Sequence, residues 1–194
     1  MVANMKNRQL KWMAALFTLV TATLLPLTGA ATLKVGDPAP KLDPGKWVQG
    51  EPVKEFQKGN AYIVEFWATW CPPCRASIPH LNEVYLKYKD KGLVVIGQDC
   101  SETDQSRVAP FVKQMGDKMT YRVALDDKQG QMAKTWLKAA GQTGIPSAFL
   151  VDTKGVIAWI GHPMKLQEQV IEDVLAGTYD FRKAAEASKP QQRD

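Results

Sequence analysis

Residues 61–67, AYIVEFW, are a nearly continuous apolar run broken only by Glu65, and Cys71 and Cys74 follow with Pro72 and Pro73 between them. A short apolar run of this kind suits a strand covered on both faces. The two prolines suit the first turn of a helix, whose N–H groups have no intrahelical partner to lose. That helix would carry Ile78, Leu81, Tyr85 and Tyr88 on one stripe, at spacings of 3, 4 and 3, until Gly92 stops it. Few folds accept this order. A strand buried on both faces needs neighbours at both edges and cover above and below, which points to a layered α/β domain.

The remaining elements extend the pattern. Leu93–Gly97 reads as a second buried strand. Ser101–Asp104 offers capping side chains ahead of Val108, Phe111, Val112 and Met115, which share one helical face. Pro110 falls inside that segment, so the helix is either kinked there or starts near Ala109. A short strand over Tyr121–Leu125 and a helix over Gln131–Ala139 presenting Met132 and Trp136 come next. Ser147–Asp152 and Val156–Ile160, joined by Thr153-Lys154-Gly155, have a hairpin pattern. A closing helix places Leu166, Val170, Val174 and Leu175 on one side. The order β-α-β-α-β-α-β-β-α predicts a sheet that begins parallel, ends in an antiparallel hairpin and carries helices on both faces.

The ends of the chain are of different character. Lys6, Arg8 and Lys11 precede an uncharged stretch that closes on Gly29, Ala30 and Ala31. A basic start, an apolar middle and a small-residue end are the parts of a secretory signal. The uncharged run from Trp12 to Leu33 is also about long enough to cross a bilayer, so residues 1–31 are either a cleaved signal or a retained anchor. Residues 32–45 read as an extended entry, with a short strand around Trp47–Val48 after it, and the main domain as 46–177. Residues 178–194 read as a polar tail, frayed over RKAAEASKPQQRD, residues 182–194. Three of the 25 Lys and Arg residues leave with the signal and no acid does, so the mature chain carries 22 basic against 20 acidic side chains, or +2. So slight a balance gives no case for nucleic-acid binding. An exported chain meets a compartment where thiols can be oxidised.

In that setting Cys71 stands at a helix N-terminus, where unpaired N–H groups and the helix dipole favour negative charge. This is the physical recipe for lowering a thiol pKa, and the thiolate is the nucleophile. Cys74 lies one helical turn further in, within reach of a sulfur–sulfur bond. Zinc would need four ligands, and Cys100, His80 and His162 stand singly at no ligand spacing, so no metal is expected. Glu65 lies on the strand face shared by Ile63 and Trp67, and a buried carboxyl group has its pKa raised towards neutrality.

The segment EFWATWCPPC resembles the active-site signature of the thioredoxin superfamily, and GIPSAFLVDTKG, residues 144–155, resembles that family's segment around its cis-proline. With Pro79 in the first helix, the likeness runs over residues 46–177. The export signal, the Pro-Pro dipeptide, Glu65 and the material after the second strand resemble the TlpA/ResA-like branch of exported thiol–disulfide oxidoreductases. The resemblance implies a thioredoxin-like α/β fold with a central mixed sheet flanked by helices on both faces, an N-terminal extension and a central insertion. It implies that Cys71 and Cys74 are the redox pair and the only cofactor, and that Glu65 deprotonates Cys74 directly or through water. It also implies a cis peptide at Ile145–Pro146 packed against the cysteine turn, with the Ile145 backbone pairing with substrate. Trp70, Pro72 and Pro73 are assigned to the same substrate surface. The implied partners are exported proteins bearing disulfides, apocytochrome c among them, and a membrane thiol transporter as electron donor. The implied location is periplasmic or otherwise exported, with membrane contact only if the N-terminal segment is retained.

The remaining candidates read as structural. Trp67 is expected in the core, Arg75 in solvent, and Cys100 as a buried free thiol closing the second strand; His80 and His162 carry no assigned chemistry. Two other functions fit the fold class, a thiol peroxidase and a non-catalytic binding module. The first usually sets Thr three residues before its cysteine, whereas here Thr69 precedes Cys71 by two; the second normally goes with a degraded motif, and both cysteines are intact.

Overall fold

The computed structural model describes residues 33–187. The signal or anchor segment 1–31 and the last residues of the tail, 188–194, lie outside the described residues. The elements are β1 (Lys46–Gln49), β2 (Ala61–Trp67), α1 (Pro72–Tyr88), β3 (Leu93–Asp99), α2 (Val108–Met115), β4 (Arg122–Leu125), a π-helical segment (Ala133–Lys138), β5 (Ser147–Val151), β6 (Ile157–Gly161), α3 (Glu168–Ala176) and α4 (Phe181–Ala187). The strands form one sheet in the order β1-β4-β3-β2-β5-β6. β2 runs parallel to β3, and β3 to β4, while β1, β5 and β6 pair antiparallel.

The run AYIVEFW is therefore central, with Glu65 opposite Gly97 on one side and Ala148 on the other. All seven of its residues are buried. Ile63 and Trp67 point into the larger core, where Ile78, Leu81 and Val84 of α1, Val108 and Val112 of α2, and Ile171 and Val174 of α3 pack. Tyr62, Val64 and Phe66 point the other way, onto Met132, Trp136 and Leu137 around the π-helical segment. Helices thus cover both faces unevenly, and the second face is completed by the extended entry, whose Leu42 joins that cluster. The entry also runs along the outer edge of β6. Pro38 bridges Val156, the Gly36 N–H donates to the Ile157 carbonyl at 2.8 Å, and the Ile157 N–H donates to that of Asp37 at 2.9 Å. An otherwise open edge is covered.

Several boundaries differ from the sequence expectations. β3 continues two residues past Gly97 because Gln98 and Asp99 still pair with β4, so Cys100 follows the strand instead of closing it. Of the two readings for Pro110, the helix start near Ala109 is the one the structure has. A 3₁₀ turn at Gln105–Arg107 leads into α2 at Val108, which puts Pro110 in the first helical turn, where it costs no hydrogen bond. The helix expected over Gln131–Ala139 is a π-helical segment capped by Asp126, whose carboxylate accepts from the N–H groups of Met132 and Ala133 at 2.9 Å each. Leu166 lies before α3, packed in from a 3₁₀ turn at Pro163–Lys165. Within the tail, fraying was expected from Arg182, but Phe181–Ala187 form α4. Tyr179 donates its hydroxyl to the Ala158 carbonyl at 2.6 Å, and its ring meets that of Phe181 at 5.0 Å. Two aromatics in a polar stretch are enough to dock it on β6.

Candidate active site

β2 ends at Trp67, and the turn Ala68-Thr69-Trp70 delivers Cys71 to the start of α1. Cys71 is the N-cap, with extended backbone (φ −86°, ψ 106°), and the Cys74 N–H donates to its Sγ at 3.2 Å. The two prolines explain why that particular donor is used. Pro72 and Pro73 have no N–H, so the first amide the helix can offer belongs to Cys74, and it is aimed at the Cys71 sulfur. The two sulfurs are bonded in this structure, with Cα atoms 5.3 Å apart. Once the bond opens, the same amide and the helix dipole face whatever charge Cys71 carries.

Both cysteines are nearly closed off, Cys71 at 2% exposure and Cys74 at 0%. They differ in what lies outside them. Cys71 lines a groove of about 630 Å³ together with Trp70, Pro72, Pro73 and Ile145, while Cys74 does not reach it. An incoming disulfide therefore meets Cys71 first. Trp70 is 56% exposed and is held by its indole N–H, which donates to the Ser101 carbonyl at 3.0 Å. The Ile145–Pro146 peptide is cis, Pro146 is buried, and the Ile145 carbonyl oxygen lies 3.8 Å from the Cys71 sulfur. All the residues assigned to the substrate surface except Pro146 converge on this groove.

Glu65 is fully buried on the α1 side of β2. Its Oε1 accepts from Ser77 Oγ at 3.0 Å, and the same hydroxyl lies 2.9 Å from the Cys74 carbonyl oxygen. The contact between Glu65 and Cys74 thus runs through Ser77 to the backbone of Cys74. Burial pushes the carboxyl group up to about 8, with Ser77 and Tyr121 partly offsetting the rise. Oε2 of Glu65 and the Tyr121 hydroxyl are both buried without a hydrogen-bond partner. Sequence reasoning missed Ser77 and Tyr121. Ser77 follows Cys74 by three residues on the buried stripe of α1, and a serine at that spacing below an acid-bearing strand was the available signal.

The loop after β3 was also missed. Glu102 accepts the Thr69 N–H and so holds the turn in front of Cys71. Asp99 is buried with neither carboxylate oxygen bonded, and burial together with Glu102 and Asp126 pushes it up to about 8. Cys100 is half-buried beside Trp67, and burial drives its thiol up to about 12, well away from reactivity at neutral pH. Trp67 is in the core, as expected. Arg75 is exposed and lies over the Phe111 ring, 5.5 Å from its centroid. His162 caps the 3₁₀ turn before α3, its Nδ1 accepting from Met164. Among the described residues no group of three or more His, Cys, Asp or Glu is arranged to hold a metal ion, and no helix is long and apolar enough to cross a membrane.

Comparison with known proteins agrees with this geometry. Residues 35–160 match the family model described as AhpC/TSA family. The chain is 32% identical over 157 residues to protein FixW of Rhizobium leguminosarum, covering 77% of this chain and 70% of that one. It is 41% identical over 105 residues to the thiol-disulfide oxidoreductase ResA of Bacillus thuringiensis, 54% of this chain but only 56% of the relative's length. Among solved structures, a thiol:disulfide interchange protein of the thioredoxin family from Chlorobium tepidum superposes with a TM-score of 0.60 at 28% identity, over 73% of this chain and 98% of that one. The chain therefore belongs to the AhpC/TSA family, in the company of thioredoxin-fold thiol–disulfide oxidoreductases.

Proposed function

We propose that the chain is a thiol–disulfide oxidoreductase that reduces disulfides of exported proteins through Cys71 and Cys74, with no cofactor besides that pair. The observation that carries the reading is the double-proline turn. It strips the first two amides from α1 and leaves the third directed at Cys71, the one sulfur of the redox pair that lines the groove.

The steps follow from the positions. The Cys71 thiolate attacks one sulfur of a client disulfide, forming a mixed disulfide and releasing the other client sulfur as a thiolate. Cys74, its proton passing towards the Glu65–Ser77 pair, then attacks the Cys71 sulfur. The client leaves with both sulfurs reduced, and Cys71–Cys74 is oxidised. Two electrons move from the enzyme pair to the client, so the pair must be reduced again. A membrane thiol transporter suits that task in an exported chain, and haem-attachment cysteines of apocytochrome c are one class of client. The basic-apolar-small character of residues 1–31 supports export.

A Cys74→Ser variant tests the reading. It should hold clients on Cys71 as mixed disulfides identifiable by mass spectrometry, while Cys71→Ser should hold none. Equal trapping by both variants would contradict the assignment of the attacking sulfur. Consumption of hydrogen peroxide by Cys74→Ser, without any trapped client, would favour a peroxidase.

A further inference from the structure

The wall of the groove opposite the cysteine turn is the π-helical segment Ala133–Lys138, which faces it with Lys134, Leu137 and Lys138. The floor nearer Cys71 is apolar, made by Trp70, Pro72 and Ile145. Among the described residues no acidic side chain lines this groove. Both lysines are exposed, and among the described residues the ion pairs are Lys87–Glu168 and Arg182–Asp180, which leaves Lys134 and Lys138 unpaired. The depression that continues past Cys100 and Gly130 has the opposite character. Glu102, Asp104, Asp126 and Asp127 line it, against one lysine, Lys128. The surface beside Cys71 therefore changes sign along its length, basic on the π-helical wall and acidic beyond Gly130. Residues 32–194 carry 22 basic against 20 acidic side chains, a net charge of only +2, so a preference arising here would be local and not a property of the whole domain.

We infer that this groove selects client segments bearing acidic residues close to their reactive cysteine, and that Lys134 and Lys138 make the selection. The inference rests on the thiol–disulfide reading and names its substrate class. A client strand lying over Cys71 advances about 3.3 Å per residue, so carboxylates a few positions from its cysteine come within reach of the lysine wall. Exposed pairs of this kind act mainly on encounter and orientation, and salt screens them. The acidic end repels the same client segment if it enters reversed, which fixes its direction.

Two peptides test this, each closed by one internal disulfide and identical except that two Glu in one replace two Lys in the other. The reduced protein should reduce the Glu peptide about five- to tenfold faster at about 20 mM salt, and the gap should close at about 500 mM. Lys134→Glu with Lys138→Glu should reverse the ratio. Because both peptides are read on the same sample, a partial loss of folded protein does not alter that ratio. Lys89→Glu with Lys154→Glu changes the net charge equally outside the groove and should leave the ratio as it was. Equal rates for the two peptides, or a ratio that survives high salt or the groove substitutions, would overturn the inference while leaving the oxidoreductase reading intact. Failure to reduce either peptide, or a neutral small disulfide such as hydroxyethyl disulfide, would overturn both.

Discussion

Ser77 donates its hydroxyl to the buried Glu65 carboxyl group at 3.0 Å. The same oxygen lies against the Cys74 carbonyl. A hydroxyl has a single proton to give, so its direction depends on the charge of Glu65. When Glu65 is ionised the proton points to the carboxylate. When Glu65 is protonated it can donate to Ser77, and Ser77 is free to donate to the Cys74 backbone. The acid is thereby coupled to the residue it is proposed to serve.

Resolution of the mixed disulfide should therefore depend on Glu65. With a carboxyl group that titrates near 8, release of a peptide from Cys71 should accelerate as pH rises through that value. Glu65→Gln should lose that limb and slow release on the order of 100-fold, leaving the rise that follows the Cys74 thiol itself. Because the Ser77 hydrogen bond lowers the Glu65 pKa, Ser77→Ala should shift the limb to higher pH without abolishing it. Stopped-flow release measured from pH 6 to 10 distinguishes the two.

Stability should fall as pH rises from about 4.5 to about 8. Glu65 moves from 4.5 to about 8 on folding and Asp99 from 3.8 to about 8, both chiefly through burial. Between those values the folded chain keeps protons that the unfolded chain has released, so raising the pH favours unfolding. The slope reaches up to about 1.4 kcal/mol per pH unit for each group. Denaturant midpoints of the oxidised protein between pH 5 and 9 should show this decline, with Glu65→Gln and Asp99→Asn each removing part of it.

Gly97 faces Glu65 across the β2–β3 pairing, and a Cβ there would stand 3.0 Å from the Tyr121 ring and 3.1 Å from Trp67 Nε1. Gly97→Ala should cost about 1–3 kcal/mol, because two large buried rings must move together. Chemical denaturation checks the loss.

Trp70 should matter to clients more than to the fold. It is more than half exposed and makes one hydrogen bond, to Ser101. Trp70→Ala should leave the denaturation midpoint within about 1 kcal/mol of wild type, yet raise KM for peptide disulfides several-fold. A change in stability with unaltered KM would remove Trp70 from the client surface.

The parts legible in the sequence were those fixed by local chemistry. AYIVEFW could be read as a doubly covered strand because apolar continuity survives any tertiary arrangement, and the double proline marked a helix start for steric reasons. Glu65 stood out as a lone charge in that strand. Ser77, Tyr121 and Glu102 carried no such mark. Each is an ordinary residue whose importance comes from what the sheet places beside it, and Tyr121 lies 56 positions from Glu65 in the chain. The π-helical wall was hidden for a related reason. Met132 and Trp136 show that a helical face is buried, but not that the turn is widened or that Lys134 and Lys138 border the groove. Fraying was expected too early, from Arg182, because the charge in 182–194 outweighed Tyr179 and Phe181, where α4 begins.

The most direct test is alkylation of the reduced protein with iodoacetamide across pH 4 to 10, resolved by mass spectrometry for each cysteine. Cys71 should react with a midpoint at least one unit below the ordinary thiol value of about 8.5, while Cys74 and Cys100 remain protected well above it. A Cys71 midpoint at or above that ordinary value would contradict a thiolate held by the first amide of α1.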